Sequence, residues 1–409
     1  MTAARRRLAL VHYTAPPVLG GVEAILGEQA RRLRDLGHDV RIVTGRGDGE
    51  VVALADSRHP RVEALARALA AGETPEREFE ALTGALLRDL SPLLRDRDCV
   101  IAHNVLTMPF DLPLARALSA LPAPVVAWTH DLAWTNPRYR AYQRPGPLLE
   151  ILHTAQAGVR YVAISEVRRR EIEQTMGLPA EQVPVVPNGI DAEGFWGIRP
   201  ETREVLARAG VEDRRPLLLV PVRVTRRKRL ELAIAAVAAL RRTHPDLQLV
   251  VTGPLGPHDR ANAGYAAGLL EMRARRRLER AVHFLFEASP EGTPHPVTDQ
   301  MIAELYRLAD VVLLPSESEG FGLPVLEAAL SRAPIVTADL PVLREVAGGG
   351  LFLFPPGGDG EAVAAAVERA LATDASRLRR RALSRHDWPA VMQSLEAILP
   401  EPGSRKASA

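Results

Sequence analysis

The densest run of chemistry-bearing residues is Pro315-Ser316-Glu317-Ser318-Glu319-Gly320-Phe321-Gly322-Leu323-Pro324-Val325-Leu326-Glu327. It follows Val311 to Pro315, an apolar stretch that reads as a strand, and Pro324 suits the first turn of a helix because its missing N–H would have been unpaired there. Backbone N–H groups of Phe321, Gly322 and Leu323, at the positive end of that helix, can take up phosphate or sugar oxygens. Glu319 on the loop and Glu327 in the helix's second turn can point to one ligand; two carboxylates that accept from vicinal hydroxyls suit a ribose and a hexose. A diphosphate needs cations. Arg223 and Lys228 supply them in Val222-Arg223-Val224-Thr225-Arg226-Arg227-Lys228, between a strand end and the next helix. Arginine can grip phosphate with two N–H groups while lysine acts as a point charge.

These loops need a scaffold that aims them, and apolar periodicity supplies one. Leu8 to His12, Asp39 to Thr44, Cys99 to Ala102, Val125 to Trp128, Tyr161 to Ile164 and Val183 to Val186 read as strands, with helices Val22 to Leu36, Arg77 to Leu90 and Glu166 to Thr175 between them. After the turn signal Pro187-Asn188-Gly189-Ile190-Asp191 the pattern restarts. Strands are expected at Leu217 to Val222, Leu247 to Thr252, Val282 to Leu285, Val311 to Pro315 and Ile335 to Thr337. Helices are expected at Leu230 to Arg241, Ile302 to Leu308, Leu323 to Leu330 and Glu361 to Leu371. Repeated strand, helix, strand predicts an α/β fold of two Rossmann-like, doubly wound domains facing across a cleft, with ligands outside the carboxyl ends of the sheets. The domains are expected at 1–187 and 188–387, and the amphipathic segment 388–400, after Ser384-Arg385-His386-Asp387, which reads as helix-breaking, is expected to pack back on the first.

A chain of 409 residues suits two domains of about 200. The 52 basic residues nearly balance the 50 acidic ones, so charge gives no reason to expect a nucleic-acid partner. One cysteine, Cys99, excludes an internal disulfide or a multi-cysteine metal site. The apolar stretch behind Arg5 to Arg7 is too short for a signal peptide, and no run approaches the ~18 apolar residues of a membrane span. A cytoplasmic protein is expected, at most peripheral to a membrane. Its clusters of arginine, Arg5 to Arg7, Arg226 to Arg229, Arg273 to Arg280 and Arg379 to Arg381, could meet an anionic surface or a lipid-linked acceptor.

Taken together, the chain resembles a retaining glycosyltransferase of family 4, with the GT-B fold. Glu319 and Glu327 match that family's Glu-x7-Glu element, and Arg223 with Lys228 matches Arg-x4-Lys. Gly20-Gly21-Val22-Glu23, His130-Asp131, Pro187-Asn188-Gly189-Ile190-Asp191, Thr252-Gly253-Pro254 and Asp387-Trp388 match in the same order along the whole chain. The resemblance implies that Arg223 and Lys228 hold the diphosphate of a UDP- or GDP-sugar, that Glu327 binds the ribose, and that Glu319 with the amides of Phe321, Gly322 and Leu323 holds the transferred sugar. It implies Gly253 in the donor site, Gly20 and Gly21 near the phosphates and acceptor, and His130 near the reacting sugar. It also implies front-face transfer with no protein nucleophile, no metal and no cofactor beyond the nucleotide sugar itself. Asn104, Asp131, Trp134 and Arg138, in loops of the first domain, are candidates for the acceptor: a sugar, a glycan, a lipid-linked group or a small metabolite.

Two segments depart from that pattern. Pro254 to Gly264, with His258, Asp259 and Asn262, and Ser289 to Asp299, with His295, stand where similar enzymes recognise the base. His258, His283 and His295 lack close metal-ligand spacing. Among rival chemistries, Asp96-Arg97-Asp98 formally provides the Asp-x-Asp of a metal-dependent transferase but reads as turn chemistry before a strand. Gly20-Gly21 and Gly45-Arg46-Gly47-Asp48-Gly49 lack the spacing of a dinucleotide fingerprint. A glycogen-type phosphorylase would need a longer chain and a lysine for a pyridoxal cofactor. A nucleotide-sugar epimerase or hydrolase, or a non-catalytic nucleotide-sugar binder, would carry the same fold.

Overall fold

A computed structural model describes residues 4–213, 215–253, 261–288 and 297–404. Two six-stranded parallel sheets organise the chain. The first comprises β1 (Arg7–Thr14), β2 (Asp39–Arg46), β3 (Glu50–Val51), β4 (Cys99–His103), β5 (Val125–Thr129) and β6 (Val159–Ala163), in the order β3-β2-β1-β4-β5-β6. It is flanked by α1 (Gly21–Asp35), α2 (Pro60–Ala70), α3 (Glu76–Leu94), α4 (Leu112–Ser119) and α5 (Glu166–Met176). Its central strands β4 and β5 are buried along their whole length, as expected where helices cover both faces of a parallel sheet.

The second unit opens with α6 (Ala192–Trp196) and α7 (Pro200–Arg208). Its sheet comprises β7 (Leu217–Val220), β8 (Gln248–Val251), β9 (Val282–Phe284), β10 (Val311–Leu314), β11 (Ile335–Ala338) and β12 (Leu351–Phe354), in the order β12-β11-β10-β7-β8-β9. Counted from its own first strand, this repeats the order of the first sheet, the doubly wound Rossmann arrangement. Helices α8 (Leu230–Leu240), α9 (Ala261–Arg275), α10 (Asp299–Leu308), α11 (Leu323–Leu330), α12 (Pro341–Ala347), α13 (Gly360–Leu371) and α14 (Asp374–His386) follow in turn. The last helix, α15 (Trp388–Ile398), returns to the first unit, which comprises the chain up to Ile190 and again from Arg385; the second runs from Asp191 to Ser384.

Two expectations need correction. Val183 to Val186 is not a strand: only Val185 bridges to Ala163, because Pro184 and Pro187 withhold the N–H groups a ladder needs. Ser384 to His386, expected to break helix, is the end of α14 instead. Arginine-rich and without a clean apolar stripe, α14 gives little periodic signal, yet Arg379 lies 4.3 Å over the Trp196 ring and 3.4 Å from Asp310.

The first unit has two cores, one on each face of its sheet. Tyr13, Phe79, Val100 and Leu152 lie in one; Leu8, Leu26, Ile101, Trp128, Trp388 and Leu395 lie in the other, which α15 completes. Cys99 sits in this second core, where burial pushes its thiol up to about 12, so it is an apolar filler. The core of the second unit is continuous from Leu206 to Leu371. Among the described residues no helix is long and apolar enough to cross a membrane.

Candidate active site

In the second unit the loop after β7 and the loop after β10 lie side by side. The backbone N–H of Glu317 donates to the Arg227 carbonyl at 3.0 Å, and Arg227 Nη1 donates to the Ser318 carbonyl at 2.7 Å. This pairing brings Lys228 Nζ to 2.6 Å from Glu319 Oε1, with Arg227 3.6 Å from the other carboxylate oxygen. Lys228 and Glu319 are both largely buried, at 12% and 8% side-chain exposure, so each neutralises the other. Arg223 is exposed, and among the described residues it has no partner. Its backbone is pressed against Gly253: a Cβ there would lie 2.2 Å from the Val222 carbonyl oxygen and 2.5 Å from Arg223 Cα. Gly253 therefore acts by being absent, letting the strand ends beneath Arg223 close up.

Gly322 caps α11 with φ +93°, a left-handed conformation that an L side chain resists. A Cβ there would also meet Leu343 at 2.4 Å. With Pro324 in the first turn and no side-chain cap, the N–H groups of Phe321, Gly322 and Leu323 are without acceptors among the described residues. Phe321 and Leu323 are exposed beside them. Glu327, one turn on, is exposed and accepts a 2.6 Å hydrogen bond from the Tyr306 hydroxyl. Tyr306 is buried in α10, and burial together with the carboxylate it serves raises its pKa far above the usual phenol value. Tyr306 was not legible as a site residue: it lies in the apolar register of its helix, and only the fold shows its hydroxyl beneath Glu327.

The first unit gathers a second set of residues at the carboxyl ends of β1, β4 and β5. His130 is buried; its Nε2 lies 3.2 Å from His103 Nδ1, and His103 Nε2 lies 2.9 Å from Gln29 Oε1 on α1. His12 Nδ1 donates to the His103 carbonyl at 2.7 Å. Burial holds all three imidazoles below their ordinary pKa; that of His130 falls to about 4, with His12 adding to the effect. Asn104, with φ +59°, turns its carboxamide oxygen to the N–H groups of His130 and Asp131, at 2.9 Å each. Its side chain thus shapes the loop. Arg168 at the start of α5 clamps the same loop, donating to the His130 carbonyl at 3.1 Å and pairing with Asp131 at 3.1 Å. His12, Gln29 and Arg168 were missed from the sequence, because buried polar residues in apolar elements show no spacing that marks them.

Gly20 is the N-cap of α1, and a Cβ there would run into the Glu23 carboxylate, which accepts from Thr14 Oγ1 at 2.5 Å. Gly21 opens onto free space. Trp134 packs its ring 4.1 Å from that of His153, and Arg138 is exposed, 5.9 Å over the Tyr139 ring. Asp98 accepts from the Arg7 backbone and Arg97 pairs with Asp96 and Asp39, which accounts for Asp96-Arg97-Asp98 as strand-start chemistry. No group of three or more metal-binding side chains occurs among the described residues. His258, Asp259, His295 and most of the two long polar segments lie outside the described residues.

Residues 19–193 match the family described as Glycosyltransferase Family 4, and residues 202–386 match Glycosyl transferases group 1. The glycogen synthase of Mycobacterium tuberculosis (strain ATCC 25618 / H37Rv) is 28% identical over 94% of this chain and 92% of its own. The D-inositol 3-phosphate glycosyltransferase of Kineococcus radiotolerans is 29% identical over 83% of this chain and 79% of its own. That of Geodermatophilus obscurus is 27% identical over 100% of this chain and 92% of its own.

Proposed function

Because the chain belongs to the family 4, group 1 glycosyltransferases, with two Rossmann-like domains, we propose that it moves a hexosyl group from a UDP- or GDP-sugar to a hydroxyl acceptor, with retention and without a metal. The observation that carries this reading is the Lys228–Glu319 pair, beside Arg223 and the amides at the start of α11, which have no partner among the described residues. A diphosphate arriving between Arg223 and Lys228 competes with Glu319 for the lysine. Its success leaves Glu319 with only the longer contact to exposed Arg227, and its Oε1 ready to accept from sugar hydroxyls, so the sugar is gripped only once the diphosphate is in place. Glu327, held by Tyr306, takes the ribose hydroxyls.

In the transfer the bond from the anomeric carbon to the diphosphate breaks while the acceptor oxygen attacks from the same face. The acceptor's proton passes to the leaving phosphate oxygen. Arg223, Lys228 and the α11 amides offset the charge that develops on the diphosphate, which is electrostatic stabilisation of a leaving group rather than covalent catalysis. Glycogen and D-inositol 3-phosphate are the first acceptors to try, since relatives carry those words in their names.

The test begins with thermal shifts in EDTA for UDP, GDP, ADP and their glucose, mannose and N-acetylglucosamine derivatives. Selective stabilisation by one diphosphate family is expected, followed by acceptor-dependent transfer whose product keeps the donor's anomeric configuration by NMR. Breakdown of donor with no acceptor requirement would make the protein a hydrolase, an inverted product would remove the mechanism, and no stabilisation by any nucleotide would remove the donor site.

A further inference from the structure

Lys228 closes a tight turn, Arg226–Lys228, and the next residue, Arg229, stands at φ +48° before α8 starts at Leu230. An L side chain resists that left-handed conformation, and Arg229 offers α8 no side-chain cap. Tyr265, buried on α9, supplies what the turn lacks. Its hydroxyl accepts the Leu230 N–H at 2.8 Å and donates to Glu231 Oε2 at 2.5 Å. Both directions are fixed by the partners, since an amide N–H can only donate and a carboxylate can only accept. Burial, and then Glu231, raises the phenol far above its usual pKa, so the hydroxyl keeps the proton it donates. The Arg226 guanidinium lies 5.4 Å over the same ring, and Glu231 reaches back to Arg229 at 3.8 Å. One side chain thus holds the chain on both sides of Lys228. A phenylalanine would fill the same core space; the hydroxyl is the part that reaches the turn.

We propose that Tyr265 is a positioning residue of the diphosphate site: its hydroxyl locks the left-handed turn at Arg229 and thereby fixes where Lys228 presents its ammonium group. The lock is made by residues of the second unit alone and is complete before a ligand arrives. A phosphate therefore meets a cation that is already placed and does not have to order the turn itself. The diphosphate half of this inference rests on the glycosyl-transfer reading; the turn does not.

Two measurements on the full chain separate the turn from its use. Hydrogen exchange followed by mass spectrometry, without nucleotide, reports the turn. In Tyr265→Phe, peptides covering 226–232 are expected to exchange roughly fivefold faster while those covering β7 and β10 do not change. Unchanged exchange at 226–232, or equal acceleration at β7 and β10, would make Tyr265 a core residue only. Calorimetric titration with UDP and GDP reports the use. For the nucleotide that the wild-type protein binds, Tyr265→Phe is expected to weaken affinity about fivefold. Arg229→Gly removes the resistance to the left-handed turn, so Tyr265→Phe with Arg229→Gly is expected to bind within about twofold of Arg229→Gly alone. Added to Lys228→Ala, Tyr265→Phe is expected to cost no further affinity, because it acts through the lysine. A full loss in either background would overturn the proposal. Binding of neither nucleotide by the wild-type protein would remove the donor reading and the diphosphate half with it, while the exchange at 226–232 still decides the turn.

Discussion

Tyr306 and Lys228 make opposite uses of a carboxylate. The Tyr306 hydroxyl spends its hydrogen bond on exposed Glu327 and adds no charge, so removing it loosens the carboxylate without orphaning a buried ion. Tyr306→Phe is expected to weaken nucleoside diphosphate binding by about 1 kcal/mol, roughly fivefold, in calorimetric titration; an unchanged affinity would separate Tyr306 from the site. Lys228→Ala removes a phosphate cation and also leaves nearly buried Glu319 short of its closest partner. It should therefore lower both donor affinity and stability, and adding Glu319→Gln should recover stability but not affinity. If the double variant regains both, Lys228 serves only Glu319. The buried histidines predict a pH dependence. Their folded pKa values are depressed, so between pH 6.5 and about 4 the unfolded chain binds protons that the native His130 does not. Stability then rises with pH across that window and levels off above it. At pH 5 keeping His130 neutral costs about 2 kcal/mol relative to pH 7. His130→Gln should flatten the pH 5 to 7 slope of unfolding free energy by about that amount; an unchanged slope would mean that His130 titrates normally.

At the scale of elements, the turn that starts α11 is where local strain becomes a binding surface. Gly322→Ala must adopt φ +93° and push Leu343 aside, whereas a Cβ at Gly320, two residues earlier, meets nothing within 4 Å. Gly322→Ala is expected to cost about 1–3 kcal/mol and Gly320→Ala less than about 0.5 in denaturant unfolding. A similar cost for both would mean that the left-handed turn is not what shapes the loop. This turn was legible from the chain alone, because a glycine before Leu-Pro after an apolar strand is local chemistry. The buried strands and the helices with an apolar stripe, α1, α8, α11 and α15, were legible for the same reason. What escaped was set by tertiary packing. Arg379, in the polar helix α14, finds Asp310 and Trp196; Tyr306 finds Glu327; His103 finds Gln29, 74 residues away. None of these pairs has a spacing, since each is made by two elements that the sheet order brings together. In the other direction, Val183 to Val186 looks like a strand by composition, yet Pro184 within it and Pro187 after it leave it a single bridge.

At the scale of the molecule, the first unit is built from two pieces of chain that must find each other after the whole second unit has been made. The return begins at Ile190 and Gly189, and Arg6, His38 and Arg160 hold its far end. The Ile190 N–H donates to the His386 carbonyl at 2.6 Å, and Gly189 lies so close under Trp388 that a Cβ would be 2.4 Å from the ring. From there α15 lays Trp388, Val391, Met392, Leu395 and Ile398 into the core that also holds Leu8, Leu10 and Leu26. The second unit's core takes no residue from this segment. Trp388→Ala should therefore destabilise one unit alone, by about 3–5 kcal/mol as a buried aromatic is lost. Because two units need not unfold together, the measurement is hydrogen exchange followed by mass spectrometry. Peptides covering β1 and α1 should exchange at least tenfold faster in the variant, and peptides covering β7 and β10 should not change. Gly189→Ala should give the same pattern more weakly, since the indole has to shift rather than vanish. Acceleration of β7 and β10 to the same degree would show that the two cores unfold as one.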